Sequence, residues 1–146
     1  MATILIADDA PAVLDVLYEV LSQEGHEVHT AATGGEALRR FEEVRPGLVV
    51  LDIVMPDMDG LVVLDSIRRL DTRVPVVLIT GLTSETLARK VAHDPFVSFF
   101  QKGSGLDKFV GLVHERLVSF FQKGSGLDKF VGLVHERLAA TPSSHP

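Results

Sequence analysis

Asp8, Asp9, Asp52, Thr80 and Lys102 each stand at the end of a short apolar run in this 146-residue chain. The runs are Ile4–Ala7, Leu48–Leu51, Val74–Ile79 and Val97–Gln101. Taken singly, the acids read as helix caps, the threonine as a turn residue and the lysine as a solvated charge. Placed together at the carboxyl edge of one parallel sheet, they occupy the edge where open α/β sheets bind ligands. Three carboxylates in one small site repel, and raise one another's pKa unless a cation lies among them. An all-oxygen donor set with no soft ligand suits Mg²⁺, a hard ion that keeps several waters. Carboxylates around such a metal point to phosphoryl transfer, where the protein positions the group and neutralises charge. An aspartate can itself be the nucleophile and form an acyl phosphate. Thr80 can donate to one phosphoryl oxygen and Lys102 can pair with another, while small Gly81 leaves room for a phosphodonor.

The elements that must position these groups follow from periodicity. Thr3–Ala7 reads as a buried strand, and Pro11 suits a first helical turn. Val13, Leu14, Leu17, Val20 and Leu21 recur at helical spacing, with Gly25 as the stop. His26–Ala31 is a second strand, Gly34-Gly35 a loop, and Ala37, Leu38, Phe41 and Val44 mark a helix closed by Pro46. The strand ending at Asp52 leads through a proline and Asp57-Met58-Asp59-Gly60 into a helix carrying Leu61, Leu64, Ile67 and Leu70. A fourth strand ends at Thr80-Gly81. Ser84 caps a weaker helix through about His93, broken by Asp94-Pro95. Val97–Gln101 is the fifth strand and Leu106–Leu117 the fifth helix. Strict alternation of short strands and helices predicts a doubly wound α/β fold of the flavodoxin-like type, strand order 2-1-3-4-5. Strands 1 and 3 flank its switch point, so Asp8, Asp9 and Asp52 should converge there.

Composition excludes several classes. The net charge of −6 offers no basic footprint for nucleic acid. There is no cysteine, hence no disulfide or thiolate metal site. The apolar start is broken at once by Asp8-Asp9, against a signal peptide, and no run approaches a membrane span. A soluble, cytoplasmic protein is expected. The histidines form no H-x-x-x-H pair or His cluster, which argues against a transition-metal site.

The acidic pair in ILIADDAP, the segment LDIVMPDMDG, the run VPVVLITG and the strand-end Lys102 together resemble the receiver domain of bacterial two-component response regulators. The resemblance covers residues 1 to about 117 and implies that Asp52 is the phosphoacceptor. It also implies that Asp9, Asp52 and the Val54 main-chain carbonyl ligate Mg²⁺, with Asp8 acting through water. Thr80 and Lys102 would read the phosphoryl group, and Phe99 would be the aromatic switch residue coupled to Thr80. A histidine kinase or phosphotransfer protein would supply the phosphoryl group. With no output segment following, a downstream protein would read the state through the strand 4–helix 4–strand 5 face, without direct DNA binding. Gly103 stands where the family usually has proline, which implies a looser Lys102 loop. A phosphohydrolase of the haloacid-dehalogenase type fits poorly, because Val54 occupies the position of its second acid. The competing reading is a non-switching adaptor or oligomerisation module with a receiver fold.

Residues 97–117 (VSFFQKGSGLDKFVGLVHERL) recur unchanged as 118–138. Three placements stay open for the second copy. The fifth helix can run on to about Gln122, since Phe120 and Phe121 keep its phase, with a further helix over 127–138 burying its face in a homodimer. The second copy can instead supply strand 5, bringing Lys123 to the site. One copy can also exchange between two chains. Residues 139–146 read as a disordered tail.

Overall fold

The computed structural model describes the main chain of residues 2–81 and 85–123, with side chains through Ser119. Strands and helices alternate as β1 (Thr3–Ala7), α1 (Pro11–Gln23), β2 (Glu27–Ala31), α2 (Gly34–Val44), β3 (Leu48–Asp52), α3 (Gly60–Leu70), β4 (Val76–Thr80), α4 (Glu85–Lys90), β5 (Val97–Gln101) and α5 (Leu106–Lys123). The strands form one parallel sheet in the order β2-β1-β3-β4-β5. This is the flavodoxin-like doubly wound sheet. Strand β3 lies between β1 and β4 and is buried throughout, which explains its unbroken apolar sequence.

Side-chain alternation divides the core between the two faces of the sheet. Leu5, Val49, Leu51, Val76 and Leu78 belong to one cluster with Ala37 and Phe41 of α2 and Val63, Leu64 and Ile67 of α3. The intervening Ile4, Ile6, Leu48, Val50, Val77 and Ile79 are buried as well, and α1 brings Leu17 and Leu21 to the core beside β1 and β2. Helix α1 ends in a Schellman motif: His26 N–H donates to Leu21 O, Gly25 N–H donates to Ser22 O, and Gly25 has φ +91°.

Three expectations need correction. Gly34-Gly35 is the first turn of α2 rather than a loop, because Thr33 caps it through Oγ1 and the Glu36 side chain reaches back to Ala32 N. Helix α4 stops at Lys90, short of His93; none of its residues is buried, so nothing in the core extends it. On α3 the exposed Leu70 lies off the buried stripe, which Val63 completes instead.

Arg68 of α3 fastens three segments. Its guanidinium pairs with Asp94 (Nε–Oδ2 2.6 Å) and donates to the carbonyls of Asp71 and Val74, while Asp94 also accepts from Phe96 N. These bonds hold the strand-entry ends of β4 and β5.

Met1–Ser104 is one compact unit, holding the sheet and α1–α4; α5 belongs to a second, Gly105–Pro146. Within α5, Phe109, Val110, Val113, Leu117 and Val118 are buried, as is His114. The helix continues past Leu117 to Lys123. The Ser84 cap, the Lys123 side chain, the second helix over 127–138 and the tail lie outside the described residues.

Candidate functional site

Parallel pairing aligns the carboxyl ends of β1, β3 and β4, and the polar residues gather where the apolar runs stop. Asp8 N–H extends the β1–β2 ladder by donating to Ala31 O, which carries the Asp8 side chain past the end of the strand in a fully buried position. Its Oδ1 accepts from Ala10 N at 2.9 Å, and its Oδ2 is buried without a hydrogen-bond donor. Asp9 is exposed, and Asp52, at the end of β3, is 3% exposed. Carboxylate oxygens of Asp8, Asp9 and Asp52 lie within 4.8 Å of one another.

Lys102 follows β5 and reaches across β4 to the acids. Its N–H donates to Thr80 O at 2.8 Å, fixing the lysine beside the end of β4. The ammonium lies 3.1 Å from Asp52 Oδ2 and 3.4 Å from Asp8 Oδ2. The other Asp52 oxygen, Oδ1, accepts from Val54 N at 3.2 Å. Gly103 has φ +88°, which proline cannot adopt, so the chain leaves Lys102 by a different path from a proline corner. The ammonium is nonetheless placed on both buried acids.

The electrostatics follow from that crowding. Burial, then the charge of Asp8, push the Asp52 carboxyl above the ordinary carboxylate range, against the opposing pull of Lys102 and Val54 N–H. Burial works against the Lys102 charge, yet the hydrogen bond to Asp52 and the charges of both acids hold it above the usual lysine value. One cation shared by two buried carboxylates, with a third at their rim, leaves a net negative pocket. The buried Asp8 Oδ2 and the all-oxygen donor set fit a divalent cation such as Mg²⁺.

The structure brings together Asp8, Asp9, Asp52 and Lys102, with Thr80, nearly buried, on the adjoining strand end. Val54 is highly exposed. Phe99 is half-buried on β5, opposite Leu78, and packs on the core cluster, two residues below the level of Thr80. Two supporting residues escaped the sequence reading. The Asp57 carboxylate accepts from Gly34 N (2.8 Å) and Gly35 N (2.9 Å), tying the loop after Asp52 to the start of α2. No periodicity announces a contact between residues so far apart in sequence. Gly60 donates to Ile53 O at 2.7 Å, and a Cβ there would sit 2.6 Å from both Asp52 O and Ile53 Cα. The Asp-Gly turn signal at 59–60 marked this helix start, but not the close approach.

Fold and site define a doubly wound α/β domain with an acidic pocket at its topological switch point. The chain matches the family model of the response regulator receiver domain over residues 4–114, and it belongs to that family. Among curated relatives, it is 38% identical to the transcriptional regulatory protein TrcR of Mycobacterium tuberculosis over 81 residues, 56% of this chain and 32% of that protein. It is 40% identical to AfsQ1 of Streptomyces coelicolor over 56% of this chain and 36% of the relative. The chain thus spans about a third of the length of these relatives. Among solved structures, a CheY-like receiver domain protein from Methanospirillum hungatei superposes with TM-score 0.80 and 28% identity, covering 84% of this chain and 98% of that one. NtrX from Brucella abortus gives TM-score 0.77 and 31% identity over 84% of this chain and 28% of the other.

Proposed function

We propose that this receiver domain is phosphorylated on Asp52 by a histidine kinase or phosphotransfer protein, with Mg²⁺ held by Asp9, Asp52 and the Val54 carbonyl, and by Asp8 through water. The observation that carries the reading is the placement of the Asp52 carboxylate, 3.1 Å from the Lys102 ammonium, inside a cluster of three acids. Mg²⁺, when bound, supplies charge neutralisation for the phosphoryl oxygens. Asp52 attacks phosphorus, the bond from phosphorus to the donor's imidazole nitrogen breaks, and its electron pair returns to the ring. Transfer frees Lys102 from its pairing with a bare carboxylate, so that it pairs with a phosphoryl oxygen while Thr80 donates to another. Water attack on the acyl phosphate later restores Asp52.

The readout face is the β4–α4–β5 edge. Helix α4 buries no side chain and, among the described residues, β5 pairs on one side only, so both can respond to Thr80 and Phe99 at low cost. A downstream protein target and a homodimer through the repeated segment belong to the same proposal.

Intact mass after incubation with acetyl phosphate and Mg²⁺ tests it. One phosphoryl group is expected on the protein and none on Asp52→Asn or without metal. No adduct on the folded protein would overturn the reading in favour of a non-switching adaptor.

A further inference from the structure

The segment between Asp52 and Gly60 carries the Val54 carbonyl, and its two ends are fixed by the sheet and by α3. At its start, Ile53 N donates to Ile79 O at 3.2 Å and Val54 N donates to Asp52 Oδ1. At its end, Gly60 N donates to Ile53 O, and Asp59 Oδ1 accepts from Leu61 N at 2.8 Å. The middle is held by a different element. The first N–H groups of a helix have no carbonyl partner within it. In α2 the Thr33 hydroxyl takes the Glu36 N–H, which leaves those of Gly34 and Gly35. One Asp57 oxygen accepts from Gly34 N at 2.8 Å and the other from Gly35 N at 2.9 Å. Met58 closes on the same turn: a Cβ on Gly34 would stand 2.3 Å from Met58 Cγ, so the glycine makes room for the loop.

We propose that Asp57 is a positioning residue for the metal site, which sets Mg²⁺ affinity from outside the ligand set by anchoring the Val54 main chain to α2. The inference rests on the metal reading above and adds to it the group that fixes the carbonyl. Between anchor and carbonyl the chain is stiff. Pro56 has a fixed φ and restricts Met55 before it, and the Met55 side chain is buried. Val54 itself is highly exposed, so its side chain gives the segment little packing. A carbonyl binds a hard cation with full affinity when it is in place before the ion arrives. The apparent affinity falls with the fraction of molecules in which the loop is in place. Two charge-assisted hydrogen bonds from a helix N-terminus keep that fraction high.

The full chain is titrated with MgCl₂ and followed by amide NMR, for the parent, Asp57→Asn, Asp57→Ala and Ile67→Val. Asn keeps one accepting oxygen and Ala keeps none, while both lose the same charge. Ile67 is buried near the far end of α3, so Ile67→Val lowers stability without touching the loop. Asp57→Ala is expected to weaken Mg²⁺ binding about tenfold, the low end for groups that orient metal ligands, and Asp57→Asn roughly threefold. Ile67→Val should bind like the parent. Initial rates of phosphorylation by acetyl phosphate give a second readout. Asp57→Ala should be slow at low Mg²⁺ and match the parent at saturation, because the bound metal then holds the loop. A rate that stays low at saturation would overturn the proposal by moving the effect to Asp52 itself. Equal losses in Asp57→Asn and Asp57→Ala would assign the effect to charge alone and overturn it, as would an equal loss in Ile67→Val. A parent that binds Mg²⁺ no better than Asp57→Ala would overturn this inference and leave the metal reading standing. A parent that binds no Mg²⁺ would overturn both.

Discussion

At Gly60 the reactive loop has no room for a side chain. The Asp52 carbonyl and Ile53 Cα both stand 2.6 Å from where a Cβ would be built, and both are backbone atoms that cannot rotate away. Gly60→Ala must therefore push α3 off the end of β3 or displace the Asp52 main chain. A loss of about 1–3 kcal/mol in urea denaturation is expected, by the usual cost of overpacking, together with slower phosphorylation of Asp52. Asp57 acts on the same loop through charge. The N–H groups of Gly34 and then Gly35 hold its carboxyl below the ordinary aspartate range. A lowered folded pKa means that the ionised form stabilises the fold. The contribution is complete above the ordinary carboxylate range and is lost as the pH falls through the lowered value. Asp57→Asn should accordingly be less stable than the parent at neutral pH, with the gap in melting temperature closing in acid. The side chain is exposed, so the gap should also shrink in high salt.

Elements in this fold are held at their ends by polar residues acting over long sequence distances. Arg68 is the clearest case. It sits on α3 yet bonds Asp71, Val74 and Asp94, and so sets where β4 and β5 begin. Its side chain is 16% exposed and that of Asp94 10%. Arg68→Ala leaves a nearly buried carboxylate without its partner, for which a loss of about 3 kcal/mol is expected in urea denaturation. Replacing both partners with apolar residues of similar volume should be much milder. A double variant no less damaged than the single would show that the carbonyl contacts matter more than the ion pair. The local signals at element ends were uneven. Gly25 marks the end of α1 because a left-handed glycine is a local requirement, whereas the Thr33-x-x-Glu36 box competes with the loop signal of the two glycines between its ends. Helix α4 had too few core-facing residues for periodicity to locate its end.

Across the whole molecule, acidic residues converge from separate strand ends, and Mg²⁺ binding should be visible as stability. A ligand that binds only the folded state raises stability by mass action, about 2.7 kcal/mol at a hundredfold excess over Kd. Calorimetry should show a melting temperature that climbs with Mg²⁺ and responds less in Asp9→Asn, whose exposed side chain can be changed with little effect on the core. A melting temperature indifferent to Mg²⁺ would contradict the assignment of the three acids to a metal. The sequence alone determined the alternation of strands and helices, the parallel sheet order and the five polar strand ends, because burial on two faces writes itself as short apolar runs and each run's stop is a local event. It also displayed the repeat. Only the tertiary structure decided that Lys102 spans Asp8 and Asp52, that Asp57 clamps the start of α2, and that Gly60 lies against the Asp52 backbone. These are contacts between segments far apart in sequence, and their partners are set by how the sheet brings strand ends together. The two copies of VSFFQ put the division most plainly, since identical residues become strand where β4 offers its open edge and helix where the chain continues from Leu117.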